Sequence, residues 1–282
     1  MGGRERLLRV LRRGHVTIIS QYRLRGAVAG AEFYASSMFA PVLTKILLSV
    51  TALLMPAASL LIPVDTDPSG PDEAIVPPGV FFAIWGLVIT GSWAIALLGW
   101  TRSGAQTVDV VAWPLVIAQA GFSVWLLFAH LRATHPAVQA IGTVLTFGVM
   151  LASLLVALAR LRDAQGPYRW LIAGATGLFA GWSSAAIWLN VVTVLPSAWG
   201  DSSVVQAVAV AGAAVTALSV IVALRPAWTY VGAVIWALIG IVISAARFGA
   251  WPPFAVALIG IAIVGVVAVR TSFLGSTRSA RQ

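Results

Sequence analysis

Few residues in this chain could carry out acid–base, nucleophilic or metal chemistry. Among its 282 residues are nine carboxylates, three histidines (His15, His130 and His135), a single lysine (Lys45) and no cysteine. The carboxylates are predicted to fall in connectors or in the N-terminal tail, so no buried acid pair or metal cluster is expected. A serine nucleophile in the run Gly181-Trp182-Ser183-Ser184 would need an adjacent base, and the nearby histidines belong to another segment. The sequence therefore predicts no catalytic residue, no metal, no required cofactor and no enzymatic activity.

Tryptophan is the residue type that stands out, with 12 copies. Membrane interfaces are enriched in tryptophan, which accounts for those at predicted helix ends: Trp100, Trp113, Trp170, Trp199, Trp228 and Trp251. The others lie inside predicted spans, where an indole N–H needs a hydrogen-bond partner: Trp85, Trp93, Trp125, Trp182, Trp188 and Trp236. This second group supplies the better candidates for a binding pocket.

Two predicted helices carry a polar face. On the fifth predicted span, a face about 80° wide holds Trp182, Ala186, Asn190 and Thr193. On the third, an arc of about 40° holds Gln119, Ser123 and His130. Polar faces in membrane helices turn toward the bundle rather than toward lipid. Two roles stay open for each polar residue, namely hydrogen bonding between helices and contact with a ligand.

The elements that must position these residues are predicted to be transmembrane helices. Hydrophobic residues make up 60% of the chain and charged residues 10%, whereas soluble chains average about 25% charged residues. A helix needs about 20 apolar residues to cross the bilayer core. Eight stretches are long enough: 45–63, 78–100, 111–130, 137–158, 170–194, 204–224, 227–245 and 250–270. The sequence thus predicts an all-α, polytopic integral membrane helix bundle of about eight helices, with the lipid bilayer as its solvent.

The net charge of +9 is explained by position. If the N-terminus is cytoplasmic, 16 of the 18 basic residues fall on the cytoplasmic side, and Arg132 and Arg247 fall outside. Because lysine and arginine bias sets topology, the sequence predicts a multi-pass protein of the inner (plasma) membrane with both termini cytoplasmic. The charge then needs no nucleic-acid partner.

The basic N-terminal segment, residues 1–44, has two open interpretations. In the first, it is a cytoplasmic arm that is attracted to anionic lipid, with a free energy of about 1 kcal/mol for each basic residue near the surface. In the second, Met1 lies upstream of the true start codon, and translation begins at Met38, because Met38-Phe39-Ala40-Pro41 leads directly into the first span.

Small residues predict two close helix contacts. Gly177 and Gly181 form a small-xxx-small pattern that brings two helices together. The Ala- and Gly-rich sixth span, Ala207 through Ala217, is suited either to a homodimer face or to packing within one chain.

Three stretches of the chain resemble one known family. The run from Val76 to Leu87, VPPGVFFAIWGL, resembles the opening of the second helix in the tryptophan-rich sensory protein family, the relatives of the TspO translocator (peripheral benzodiazepine receptor) proteins. Trp125 followed by His130, and Gly181-Trp182 followed by Ala186 and Asn190, agree in order and spacing. The resemblance covers residues 76–194.

This resemblance implies a fold and a site. It implies a TspO-like five-helix bundle over residues 45–194, three additional transmembrane helices over 195–270 and a cytoplasmic tail over 271–282. Carried over residue by residue, it implies ligand contacts from Phe82, Trp85, Trp125, Trp182, Ala186 and Asn190, with Gln119, Ser123 and His130 as a secondary polar stripe. The chain departs from the family at Phe122, where relatives usually place an asparagine. Family members often form homodimers.

The expected function is that of a membrane sensory protein that binds a flat apolar ligand, such as a porphyrin or sterol-like lipid, between helices two, three and five. The alternative is a transporter or permease of a small hydrophobic compound, gated by an acidic outer loop of Asp65, Asp67, Asp72 and Glu73. Tetrapyrrole breakdown at a pocket tryptophan is a third hypothesis, which rests on the family resemblance alone.

Overall fold

The described part of the protein comprises residues 42–62, 74–131 and 134–279 of a computed structural model. The chain divides into two compact units, 1–44 and 45–282, and the description below concerns the second. Most of the basic N-terminal segment, the acidic loop of the transporter hypothesis and Arg132 lie outside the described residues.

Within the described residues, eight helices are long and apolar enough to cross a membrane, which confirms the predicted all-α, polytopic bundle. They are α1 (Val42–Leu61), α2 (Ile84–Gly99, preceded by a 3-10 turn at Gly79–Ala83), α3 (Ala105–His130), α4 (Pro136–Asp163), α5 (Arg169–Thr193), α7 (Ser203–Leu224), α8 (Trp228–Arg247) and α9 (Trp251–Ser279). A short helix, α6 (Ser197–Gly200), joins α5 to α7.

Proline and glycine mark several helix ends. Pro136 opens α4, where its missing N–H costs nothing. Pro226 separates α7 from α8, and Gly249, with φ at 65°, turns the chain from α8 to α9. These breaks are short, so successive helices run antiparallel.

Two carboxylates lie in helices and not in connectors, so that part of the sequence prediction was wrong. Asp109 lies inside α3, which begins at Ala105, and Asp163 is the last residue of α4. The predicted spans ended where hydropathy fell, but each helix continues past that point. Asp109 forms a 3.8 Å ion pair with Lys45 of α1, so this carboxylate has a partner near the helix ends.

Helix α5 is the centre of the bundle. It packs on α2 and α4 and also on α7 and α8. Within its most apolar window 61% of residues are buried, against 28% for both α1 and α9. Helix α3 packs chiefly on α4, whereas α9 covers α7 and α8. Helices α7 and α8 therefore share α5 with α2 and α4, and α9 packs outside them.

The predicted glycine contact of α5 is made with α8. A Cβ atom at Gly181 would overlap the carbonyl oxygen of Tyr230, and one at Gly177 would lie 2.9 Å from the hydroxyl of Thr229. Two hydrogen bonds cross the same interface: Thr229 donates to the carbonyl of Gly174 over 2.6 Å, and the Ser184 and Tyr230 hydroxyls lie 2.9 Å apart. Because α5 and α8 approach so closely at Gly177 and Gly181, neither position has room for a larger side chain.

The small residues of the sixth span pack within the chain. Ala213 and Ala217 of α7 are buried, and the ring of Trp188 on α5 lies against Gly212. The Trp188 indole donates to the Thr216 hydroxyl over 3.0 Å. Two roles were considered for this span, a homodimer face and packing within one chain. The structure shows packing within the chain, with these small residues against neighbouring helices.

Described basic side chains collect at one end of the bundle, called here the basic end: Lys45, Arg102, Arg160, Arg162, Arg169, Arg225 and Arg270. Arg160 donates to the carbonyl of Val110 and Arg162 to that of Ala223. These bonds join the C-terminal end of α4 to the start of α3 and to the end of α7. Arg247, at the end of α8, lies at the opposite end.

Candidate functional site

Seven aromatic rings from α2, α3, α4, α5 and the turn before α2 meet inside the bundle, and we call them the aromatic cluster: Phe82, Trp85, Phe122, Trp125, Phe147, Phe179 and Trp182. Trp85 is at its centre. Its ring centroid lies 4.5 Å from that of Phe122 and 5.8 Å from that of Phe179. The centroids of Trp125 and Trp182 lie 6.0 and 6.3 Å away.

Six of these rings come from a short motif that occurs in three helical segments. Phe82 and Trp85, Phe122 and Trp125, and Phe179 and Trp182 are each a Phe-x-x-Trp pair. Residues three apart lie on the same helix face, so each segment presents two rings to the same side. The sequence reasoning used the three tryptophans and missed Phe147 and Phe179. The repeated Phe-x-x-Trp spacing was the signal that would have found Phe179.

Phe122 packs as a core residue. Where relatives usually place an asparagine, this ring is 2% exposed and contacts Trp85. A phenylalanine offers no carbonyl acceptor to the neighbouring indole N–H. At this position the chain therefore has aromatic packing and no polar side-chain contact.

The predicted residues of α3 and α5 are joined by a hydrogen bond. The Trp125 Nε1 donates to Asn190 Oδ1 over 3.3 Å. The Asn190 amide in turn donates to the carbonyl of Ala186 over 2.8 Å, one turn earlier in α5. Asn190 and Trp125 are half-buried, whereas Trp182 is 2% exposed. The Trp125–Asn190 side is therefore the more accessible edge of the predicted site.

Some buried polar atoms near the cluster have no hydrogen-bond partner among the described residues. They include the Nε1 of Trp85, the Nε2 of Gln119 and the Oγ of Ser123. Gln119 is held from its other end, because its Oε1 accepts a 2.7 Å bond from Thr51 of α1. An unsatisfied buried donor costs about 1–3 kcal/mol. These atoms retain hydrogen-bonding capacity that a ligand or water can use.

The three residues of the predicted polar stripe of α3 lie in different environments. Gln119 is buried and Ser123 is half-buried, but His130 is exposed at the end of the helix. Only the first two therefore belong with the interior of the bundle.

Three of the internal tryptophans lie outside the aromatic cluster and connect neighbouring segments. Trp93 donates to the carbonyl of Ala52 over 2.9 Å, and Trp236 to that of Phe81 over 2.9 Å. Trp188 donates to Thr216, as described above. Their indole N–H groups have protein partners, which is the structural role expected of a buried indole.

The cluster is filled by its own rings. The Trp85 and Trp125 planes lie at 26° with centroids 6.0 Å apart. An aromatic plane inserted between them needs about 3.5 Å on each side, or about 7 Å in all. A flat molecule must therefore displace a ring or lie against an edge of the cluster.

The aromatic cluster and the eight spans fall within a region matched by one family. Comparison with curated proteins gave no match, and neither did comparison with solved structures. A model of the TSPO-like protein family matches residues 43–271. The match runs from α1 into α9, so it includes the last three helices as well as the first five. The chain belongs to the TSPO-like protein family.

Proposed function

We propose that this protein is a membrane receptor that binds a flat, largely apolar molecule of the porphyrin or sterol-like class at the aromatic cluster. The observation that carries the proposal is the convergence of three Phe-x-x-Trp pairs around Trp85, whose buried Nε1 has no partner among the described residues. The proposed contacts are Phe82, Trp85, Trp125, Trp182, Ala186 and Asn190.

The chemistry of the cluster suits such a ligand. Pockets for small molecules are mostly apolar and contain a few polar groups that fix orientation. Indole faces supply apolar contact with a planar ring system, and the Trp85 Nε1 can donate to a ligand carbonyl, carboxylate or ring nitrogen. Gln119 and Ser123 supply further unpaired polar atoms.

Binding requires the cluster to open. Trp125 and Asn190 are the proposed opening point, because their side chains are half-buried and their 3.3 Å hydrogen bond is long. A ligand that turns the Trp125 ring gains the face of Trp85 and frees the Asn190 Oδ1 to accept a hydrogen bond from a donor on the ligand. The bond energy lost is small, since such bonds in membrane proteins average about 0.6 kcal/mol.

The proposed location is the plasma membrane, with the basic end in the cytoplasm. The described side chains at that end include Lys45 and six arginines, while Arg247 lies at the other end. Positive charge in short connectors favours the cytoplasmic side. This orientation places both chain termini in the cytoplasm.

The test is titration of the purified protein in lipid nanodiscs with protoporphyrin IX, followed by the absorbance of the porphyrin. Saturable binding that weakens in a Trp182→Ala, Asn190→Ala variant supports the proposal, and equal affinity in the two proteins overturns the site. Vesicle uptake separates a receptor from a transporter. A receptor saturates at its binding stoichiometry, whereas porphyrin accumulation inside the vesicles would identify a transporter.

A further inference from the structure

A second concave site lies at the basic end, between α7, α8 and α9. It is a cavity of about 220 Å³. Its floor is formed by buried apolar side chains of Ile221, Val231 and Ala268, and its rim carries the exposed side chains of Arg225, Trp228 and Ser272. The site is separate from the aromatic cluster, and no residue is common to both.

Arg225 occupies a position at which arginine is unfavourable. It directly follows the last residue of α7 with φ at 48°, a left-handed conformation for which glycine is the usual residue. Strained backbone of this kind persists only where the surrounding structure holds it, and it is enriched at functional sites. A charged side chain stands here where the backbone favours glycine.

The guanidinium of Arg225 is also available. Arg162 and Arg169, at the same end, donate to backbone carbonyls, and Lys45 pairs with Asp109. Arg225 makes no side-chain hydrogen bond or ion pair with any residue that the structure describes. Its donors are therefore not used by the described residues and can bind an anion.

Two further features of the rim favour an anion. Helix α8 begins at Trp228 without a side-chain cap, so its first N–H groups and the positive end of its dipole are uncompensated. Arg225 is the one cationic side chain among the described residues that line the cavity, and the Thr271 and Ser272 hydroxyls beside it donate to carbonyls of their own helix.

The size and floor of the cavity restrict the class of anion. Pockets for drug-sized ligands usually measure about 300–1,000 Å³, so this cavity is too small for a tetrapyrrole. Its apolar floor is a poor match for a fully hydrated inorganic ion. Both features fit a molecule with a compact anionic head and an adjoining hydrocarbon part.

We propose that this cavity binds an anionic phospholipid, with the phosphate against Arg225 and the start of an acyl chain over Ile221, Val231 and Ala268. Trp228, 56% exposed, lies at the helix end where indoles meet lipid headgroups. Basic pockets between transmembrane helices on the cytoplasmic side are known to bind such head groups. The remaining charge of the basic end favours anionic lipid over zwitterionic lipid.

Native mass spectrometry of the full chain tests this proposal, with phosphatidylglycerol compared against phosphatidylcholine of the same acyl chains. The variant is Arg225→Gly, which removes the charge and relieves the backbone. The matched control is Arg102→Ala, an exposed arginine at the same end outside the cavity. A third arm replaces lipid with inorganic phosphate and follows thermal unfolding.

We expect phosphatidylglycerol to be retained over phosphatidylcholine, Arg225→Gly to lower its affinity about tenfold, as for one lost charge-assisted contact, and Arg102→Ala to change it less than twofold. Equal retention of the two lipids, or equal losses in the two variants, would show only general surface attraction and overturn the site. A thermal shift with inorganic phosphate alone that matches the lipid shift would overturn the lipid assignment.

Discussion

The indole of Trp125 on α3 donates a 3.3 Å hydrogen bond to the side-chain carbonyl of Asn190 on α5. This bond joins two helices that each also present a tryptophan or phenylalanine face to Trp85. The proposed site is therefore both an aromatic contact and a polar link between helices. Mutations there separate structural effects from binding effects only when stability and ligand affinity are measured together.

The Trp125–Asn190 bond should contribute little to stability. In a double-mutant cycle of Trp125→Phe and Asn190→Ala, we expect a coupling of about 0.6 kcal/mol, the average for side-chain hydrogen bonds in membrane proteins. Unfolding by denaturing detergent measures each variant. A coupling indistinguishable from zero would mean that the bond does not form in the bilayer.

Porphyrin affinity should depend on the cluster and not on tryptophan in general. We expect Trp182→Ala to weaken protoporphyrin IX binding at least tenfold, because it removes a large ring that packs at a steep angle against Trp85. Trp188→Ala is the matched control, since Trp188 bonds to Thr216 outside the cluster. Equal weakening in both variants would argue against the proposed site, and unfolding curves exclude general destabilisation.

Restoring an asparagine at position 122 should strengthen the polar side of the site. Phe122→Asn removes the ring 4.5 Å from Trp85 and adds a side-chain amide that can itself donate to the ligand, beside the unpaired Trp85 Nε1. We expect tighter porphyrin binding together with lower stability, by about 3 kcal/mol, since a packed aromatic side chain is lost. Phe179→Asn provides the comparison on α5. Unchanged or weaker binding in Phe122→Asn would show that the ring itself serves the ligand.

Gly181→Ala should disrupt the contact between α5 and α8. The added Cβ overlaps the Tyr230 carbonyl oxygen, and overpacking of this kind costs about 1–3 kcal/mol. Gly232→Ala on α8 is the control, because no heavy atom lies within 4 Å of its Cβ position and alanine favours helix. Thermal unfolding of the two variants should move in opposite directions. If Gly181→Ala left the unfolding temperature unchanged, α5 and α8 would be able to move apart at little energetic cost.

Membrane orientation can be read by labelling, because the chain has no cysteine. A cysteine at exposed Ser103, between α2 and α3, should react with an impermeant maleimide only after cells are opened. A cysteine at exposed Asp201, beyond α6, should react in intact cells. The reverse pattern would invert the proposed topology.

Hydropathy was sufficient to predict the fold, because eight apolar stretches of membrane-spanning length have few alternatives. Helix ends were harder, since charged residues such as Asp109 continue a helix where hydropathy has already fallen. Helical spacing placed Trp182 and Asn190 on one face of α5, but it could not say which helix that face meets. The partner, Trp125, depends on long-range packing.

The contribution of Phe122, Phe147 and Phe179 could not be predicted from hydropathy, which treats every phenylalanine alike. What distinguishes Phe122 and Phe179 is their spacing to a tryptophan, and Phe147 has no such spacing. Its place beside Trp125 follows from the packing of α4 on α3. Contacts between helices are set by the whole bundle and not by local pattern.

The backbone contact between Gly181 and Tyr230 also determines the direction in which the site can widen. Because α5 already abuts α8, and packed protein is nearly incompressible, α5 cannot yield toward α8. The apolar windows of α1 and α2 are only 28% and 33% buried, so these helices border the lipid, which is fluid. At the proposed site, room for an apolar ligand would therefore come from movement of helices that border the lipid and not from movement of α5 toward α8.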